Sequence, residues 1–225
     1  MAERFDGNAI RTQRTRARVL AESLRLFNEH GEGHVTTGMI AESLGMSPGN
    51  LYYHFRNKDQ IVEELFARFE ERIDVPPPAP SAGPEAIEDL WLYLHLMFES
   101  ILEYRFLYRA LDDLVARSRR LRERFNRIAR GKRDAIVALC EGLVGAGLMR
   151  ANPTEIQSLA QNVLVVSTYW LNYRALRMHR PRASPAGDEE RALGEGAYQV
   201  MALVAPYLAP QARAHLDQLG RRYIE

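Results

Sequence analysis

The side chains best suited to grip a nucleic acid lie close together: Gly49, Asn50, Tyr52, Tyr53, His54 and Lys58. Asn50 is short and can both donate and accept toward a base edge or a phosphate oxygen. Gly49 has no side chain, so its backbone can approach a duplex closely. Tyr52, Tyr53 and His54 bring hydroxyl and imidazole groups into the next turn. Asn57 is a cap residue, and Gln60 lies three positions on as a capping-box partner. That places Lys58 at a helix N-terminus, where free N–H groups and the dipole already favour an anion such as phosphate.

The neighbouring residues supply the elements that would hold this group. Thr36 is an N-cap, and Met39, Ile40 and Leu44 then recur on one helical face. Gly45 ends that helix, Ser47 caps the next, and Pro48 takes its first position. Two short helices joined by a tight glycine-containing turn form a helix-turn-helix, whose second helix enters the major groove. Leu51 and Phe55, four apart, belong to a core. Tyr52, Tyr53 and His54 sit between them on the other faces and are expected to project toward solvent or DNA. On the residues alone, they could equally be ordinary aromatics of a small helical domain.

The run Leu51-Tyr52-Tyr53-His54-Phe55, with Lys58 after it and Thr36-Thr37 before it, resembles the DNA-binding domain of the tetracycline-repressor (TetR) family. The resemblance extends over residues 19–65. Further on, Tyr104-Arg105-Phe106-Leu107-Tyr108-Arg109 with Leu111-Asp112-Asp113-Leu114 is similar to one branch of that family. By the first resemblance, Thr37, Tyr52, His54 and Lys58 match positions that touch the DNA backbone. Gly49, Asn50 and Tyr53 match positions where the groove is read. The resemblance also implies a homodimer made by the last two long helices and a small-molecule effector pocket inside the C-terminal domain. Its expected partners are a near-palindromic DNA operator and a largely apolar effector. It implies a repressor; an activator or co-regulator with a protein partner would use the same motif.

Composition is compatible with all this but does not announce it. The 225 residues hold 46% hydrophobic and 26% charged side chains, and the net charge of +1 leaves local charge to carry any argument for nucleic acid. One cysteine, Cys140, excludes an intramolecular disulfide. The polar, Arg-rich start has no apolar signal-peptide core, and no apolar run reaches the roughly 18 residues of a membrane span. The expected location is the cytoplasm.

Residues 1–11 read as a disordered arm. A helix follows to His30, with Leu20, Leu24 and Phe27 on one face and Arg11, Arg14, Arg16 and Arg18 in its first turns, either beside phosphate or simply solvated. From Lys58 to about Asp74 a helix carries apolar residues on two adjoining stripes, so it is expected to pack on two bodies and to link the domains. Residues 76–84 are proline-rich and read as a semi-rigid connection. The remainder reads as helices over about 85–103, 106–116, 118–148 and 152–179, a loop over 180–188, and a last long helix. Pro206 is expected to kink that helix and Pro210 to end it before a short terminal one. The fold class is therefore all-α. A three-helix DNA-binding domain (residues 1–74) precedes a larger helical bundle for effector binding and dimerisation (residues 75–225).

Other chemistry is poorly served. The basic run over residues 119–133 scatters its charge around a helix and reads as a solvated face. His30 and His34 have a metal-ligand spacing, but Gly31 and Gly33 intervene, so no metal is expected. Asp112 and Asp113 diverge on a helix; one of them could meet a polar ligand group or an arginine, or both could form a surface pair. Cys140, among Ala138, Leu139, Leu143 and Val144, reads as a small buried hydrophobe. There is no nucleophile elbow, Walker loop or dinucleotide fingerprint, so neither enzymatic activity nor a cofactor is expected. The second domain has more aromatics than a bundle needs. From them and the acidic pair, Trp91, Phe98, Tyr108, Asp112, Trp170 and Tyr173 are candidates to line a pocket.

Overall fold

The computed structural model describes residues 2–74, 76, 85–178 and 188–220, and every regular element among them is a helix. The first, α1 (Ala2–His30), already includes the stretch expected to be a disordered arm. Gly7 is the one residue there that strongly disfavours a helix, by about 1 kcal/mol, and the helix continues through it. Gly31, at φ 81°, turns the chain out of α1 in a conformation open to glycine.

The helix-turn-helix forms through the expected caps. Thr36 accepts from the Met39 N–H at the start of α2 (Thr37–Ser43). Gly45 takes the turn at φ 63°. Ser47 accepts from Asn50 N–H at the start of α3 (Pro48–His54), with Pro48 in the first turn. Asn57 accepts from Gln60 N–H to open α4 (Lys58–Ile73). The Gln60 carboxamide reaches back to Arg56 N–H at 2.9 Å, one residue earlier than a capping box would place it.

Helix α4 is buried on both sides, as its two stripes require. It packs on α1 and also on α5 (Glu85–Glu103) and α8 (Arg119–Gly145). Phe69 meets the rings of Tyr104, Tyr108 and Phe125 at centroid distances of 5.7, 5.8 and 6.5 Å. The single helix expected over 106–116 is divided at Ala110 into α6 (Arg105–Arg109) and α7 (Leu111–Arg117).

The basic half of α8 stays largely exposed, as expected, while three of its arginines reach carboxylates on α4. Arg124 pairs with Glu70 and lies over the Phe66 ring at 4.7 Å; Arg120 meets Glu63 at 3.3 Å and Arg127 meets Glu70 at 3.7 Å. Their partners Glu63 and Glu70 are seven residues apart and share one face of α4. Arg119 pairs within its own helix, with Glu123.

A capping box of Asn152 and Glu155 opens α9 (Pro153–Met178), with bonds of 2.7 and 3.0 Å. Helix α10 (Asp188–Val204) packs along α9 and against α5. Pro206 lies in a 3-10 turn that ends α10, and Pro210 opens α11 (Pro210–Gly220) instead of closing a longer helix. The proline-rich connection beyond Pro76 and the loop before Asp188 lie outside the described residues.

Contact between α9, α10 and α5 is closest at Gly196. A Cβ there would lie 2.6 Å from Phe98 Cε1 and 2.7 Å from Trp170 Cδ1. Gly196→Ala should therefore destabilise by about 1–3 kcal/mol through overpacking. At about 2–4 °C per kcal/mol for a chain of this size, a thermal melt resolves the loss.

Candidate nucleic-acid interface

Short α3 presents an open outer face. Gly49 and Asn50 are exposed, Tyr52 is 50% exposed and Tyr53 is 78% exposed. An aromatic ring left that far in solvent is not serving the core. A Cβ on Gly49 would touch nothing within 4 Å, so the glycine answers no internal crowding. Leu51 and Phe55 are fully buried beneath this face. The Thr37 and Tyr52 hydroxyls lie 3.1 Å apart, joining the first turn of α2 to α3.

His54 does not project outward as expected. It is buried, with its ring edge-on to Tyr53 at 5.2 Å and its Nδ1 without a hydrogen-bond partner. Burial, assisted by the nearby Arg16 guanidinium, holds its pKa below the usual value, so the ring is neutral at neutral pH. The physical reason is Arg16 of α1. It donates to the His54 carbonyl, pairs with Glu64, and lies over the Phe55 ring at 4.3 Å. These contacts draw the end of α3 inward and tie up Arg16 itself. Arg11, Arg14 and Arg18 remain exposed.

Lys58 begins α4 as expected, but its ammonium points inward. It donates to the carbonyls of Glu32 and Val35 at 2.9 and 3.2 Å and meets Glu32 Oε1 at 3.0 Å. Arg117, at the end of α7, reaches the same Oε1 at 2.8 Å. Burial alone would raise the Glu32 pKa; hydrogen bonds from Arg117 and Lys58 outweigh it and hold the carboxyl below 4.5. Sequence reasoning missed Glu32, because a glutamate between two glycines carries no signal of burial.

The six candidate pocket residues do not line one cavity, although Trp170 meets Tyr173 at 5.9 Å between ring centroids. Phe98 is buried and Trp170 half-buried, both against Gly196, and Trp170 Nε1 donates to the Ala192 carbonyl at 2.9 Å. Tyr108 is buried among Phe69 and Phe125. Trp91 stacks on His95 at 5.3 Å, whereas Asp112 and Tyr173 are exposed. A cavity of about 560 Å³ lies elsewhere, between α4, α5 and α8. Its lining includes Ile73, Asp74, Tyr93, Ile128, Lys132 and Ala135 and none of the six. The Lys132 ammonium sits over the Tyr93 ring at 5.1 Å, and the Tyr93 hydroxyl has no hydrogen-bond partner. Cys140 is fully buried, which pushes its thiol up to about 11. Among the described residues no cluster of His, Cys, Asp or Glu could hold a metal, and no helix is long and apolar enough to cross a membrane.

Comparison with known proteins agrees with this geometry. Residues 19–65 match the family described as "Bacterial regulatory proteins, tetR family", and residues 68–216 match that described as "Bacterial transcriptional repressor". A TetR-family transcriptional regulator of Marinobacter aquaeolei VT8 is 33% identical, with a TM-score of 0.79 over 93% of this chain and 98% of that one. The chain belongs to the TetR family. Its similarity to the curated regulators AcrR of Shigella flexneri (34% identity) and UidR of Escherichia coli K12 (31%) is local. It covers 27% and 30% of this chain and 28% and 35% of theirs. The helix-turn-helix lies within residues 19–65, the stretch matched by the tetR-family description.

The lowered Glu32 pKa sets a sign for pH dependence. Its ion pairs contribute stability above about pH 4.5, the ordinary carboxyl value, and lose it as pH falls through the depressed folded value. The stability gap between wild type and Glu32→Gln should be widest near neutrality and close in acid. Thermal melts of both proteins from about pH 7 to about pH 3 measure it.

Proposed function

We propose that the chain is a homodimeric, cytoplasmic transcriptional repressor, released from its operator by a small, largely apolar effector. The observation that carries this reading is the outer face of α3, where Gly49, Asn50 and Tyr53 stand clear of the protein on a capped, buried-backed helix. Major-groove readers have this geometry, with N-terminal residues of the second helix against base edges. The paired Thr37 and Tyr52 hydroxyls would serve as phosphate contacts beside that groove.

Two further features support the rest. On α9, Val165, Tyr169, Tyr173 and Leu176 share one face and are 45–78% exposed. Such a stripe of large apolar side chains suits burial against a second copy. Two copies would offer their recognition helices to half-sites one turn apart, roughly 34–36 Å, on a near-palindromic operator. The cavity between α4, α5 and α8 is large enough for a small effector and borders the helix shared by both domains. An effector that binds one arrangement of these helices better shifts the population toward it, and the spacing of the recognition helices changes.

The test is a salt titration of binding to DNA upstream of the chain's own gene, with DNA selected from a random pool as the second target. Wild type should bind tightly and with steep salt dependence. Tyr53→Ala should lose about 1–3 kcal/mol of preference for the selected site while retaining general DNA affinity. Equal loss on every sequence would reject base reading by Tyr53. The double substitution Tyr169→Glu with Leu176→Glu should give a monomer by light scattering and abolish tight operator binding. A dimer surviving it would remove α9 from the interface.

A further inference from the structure

Glu32 connects the two domains through a single atom. It lies in a short 3-10 turn between α1 and α2 and is 3% exposed. Its Oε1 receives Lys58 Nζ at 3.0 Å from the DNA-binding domain and Arg117 Nη2 at 2.8 Å from the C-terminal domain. An ammonium has three N–H donors. The carbonyls of Glu32 and Val35 and Glu32 Oε1 offer Lys58 three acceptors, so all its donors are turned inward. Lys58 can meet a phosphate only by giving up one of these partners.

Arg117 decides how costly that release is. With Arg117 docked, Glu32 keeps a counter-charge when Lys58 turns away. With Arg117 withdrawn, the departure of Lys58 would leave a buried carboxylate with no cation, which is strongly unfavourable. Asp59 lies 3.8 Å from the same guanidinium and is exposed, so it offers Arg117 an alternative partner at the surface.

We propose that Arg117 is a positioning residue for DNA binding: docked on Glu32 it leaves Lys58 available to phosphate, and withdrawn with α7 it locks Lys58 onto the buried carboxylate. The proposal rests on the DNA-binding reading above and gives the C-terminal domain a defined contact through which to lower operator affinity.

The experiment is a salt titration of operator binding by full-length wild type, Arg117→Met, Lys58→Met, the double variant and Arg117→Lys, with melting curves to establish folding. Arg117→Met should weaken binding at least about fivefold and reduce the salt slope by about one phosphate contact. Lys58→Met should do the same, and the double variant should be no weaker than Lys58→Met alone. Arg117→Lys, which returns a cation to Glu32, should recover the slope. An unchanged slope in Arg117→Met, or an equal further loss on adding Arg117→Met to Lys58→Met, overturns the proposal. So does an unchanged slope in Lys58→Met, even while operator binding stands. If wild type shows no salt-steep preference for any selected DNA, the DNA-binding reading itself fails.

Discussion

Burial of α4 on two sides is the constraint on which the rest of the structure depends. Ile61, Val62, Leu65, Phe66, Phe69 and Ile73 are all withdrawn from water, yet no single neighbouring body covers them all. The side toward α1 completes the small DNA-binding domain. The other side enters the ring cluster of Tyr104, Tyr108 and Phe125. Fully burying one such side chain is worth about 1.5–3 kcal/mol, so pulling the domains apart along α4 would forfeit several such terms. Movement in the C-terminal bundle is therefore transmitted to the DNA-binding domain more cheaply than it is absorbed between them.

Polar contacts around α4 fix its direction rather than its stability. Exposed pairs such as Arg120 with Glu63 contribute roughly 0–1 kcal/mol. Arg124 and Glu70 are more enclosed, and the Arg124 guanidinium also covers the Phe66 ring. A second set of contacts holds the corner between α5 and α6 against α1. Asn28 donates to the Glu103 carbonyl at 2.8 Å and accepts from Phe106 N–H at 3.1 Å, while Arg109 donates to the Asn28 carbonyl at 3.2 Å. The short helices α6 and α7 are thus seated on the DNA-binding domain at Asn28 and at Glu32, with one break in the helix, Ala110, between those seats.

Local chemistry was legible in the sequence, and tertiary chemistry was not. The caps at Thr36, Ser47 and Asn57 and the turn at Gly45 depend on residues within a few positions of one another, and each formed as read. The two stripes of α4 were readable because helical periodicity alone generates them. His54 was misread because its burial comes from Arg16, far away in the chain. The basic run of α8 lies mostly in solvent as read, but its carboxylate partners on α4 are far away in the chain and gave no local sign. Glu32 and the cavity-lining Lys132 gave no local sign at all. Aromatic content raised the expectation of a pocket, but packing decided which rings became core.

This distribution separates recognition from control. Phosphate contacts position a protein on DNA, while base contacts specify the sequence. In the proposed interface, the base-reading residues Gly49, Asn50 and Tyr53 stand on the open face of α3. Lys58 shares a buried carboxylate with an arginine of α7, so the phosphate side is the side mechanically tied to the C-terminal bundle. Under the proposal, a change in that bundle alters how firmly the protein holds any duplex and, in a dimer, how the two recognition helices are spaced. It leaves intact the side chains that distinguish one base pair from another. The operator preference of such a regulator can drift by substitution on α3 without disturbing its control, and its control can drift through α7 and α8 without altering which operator it reads.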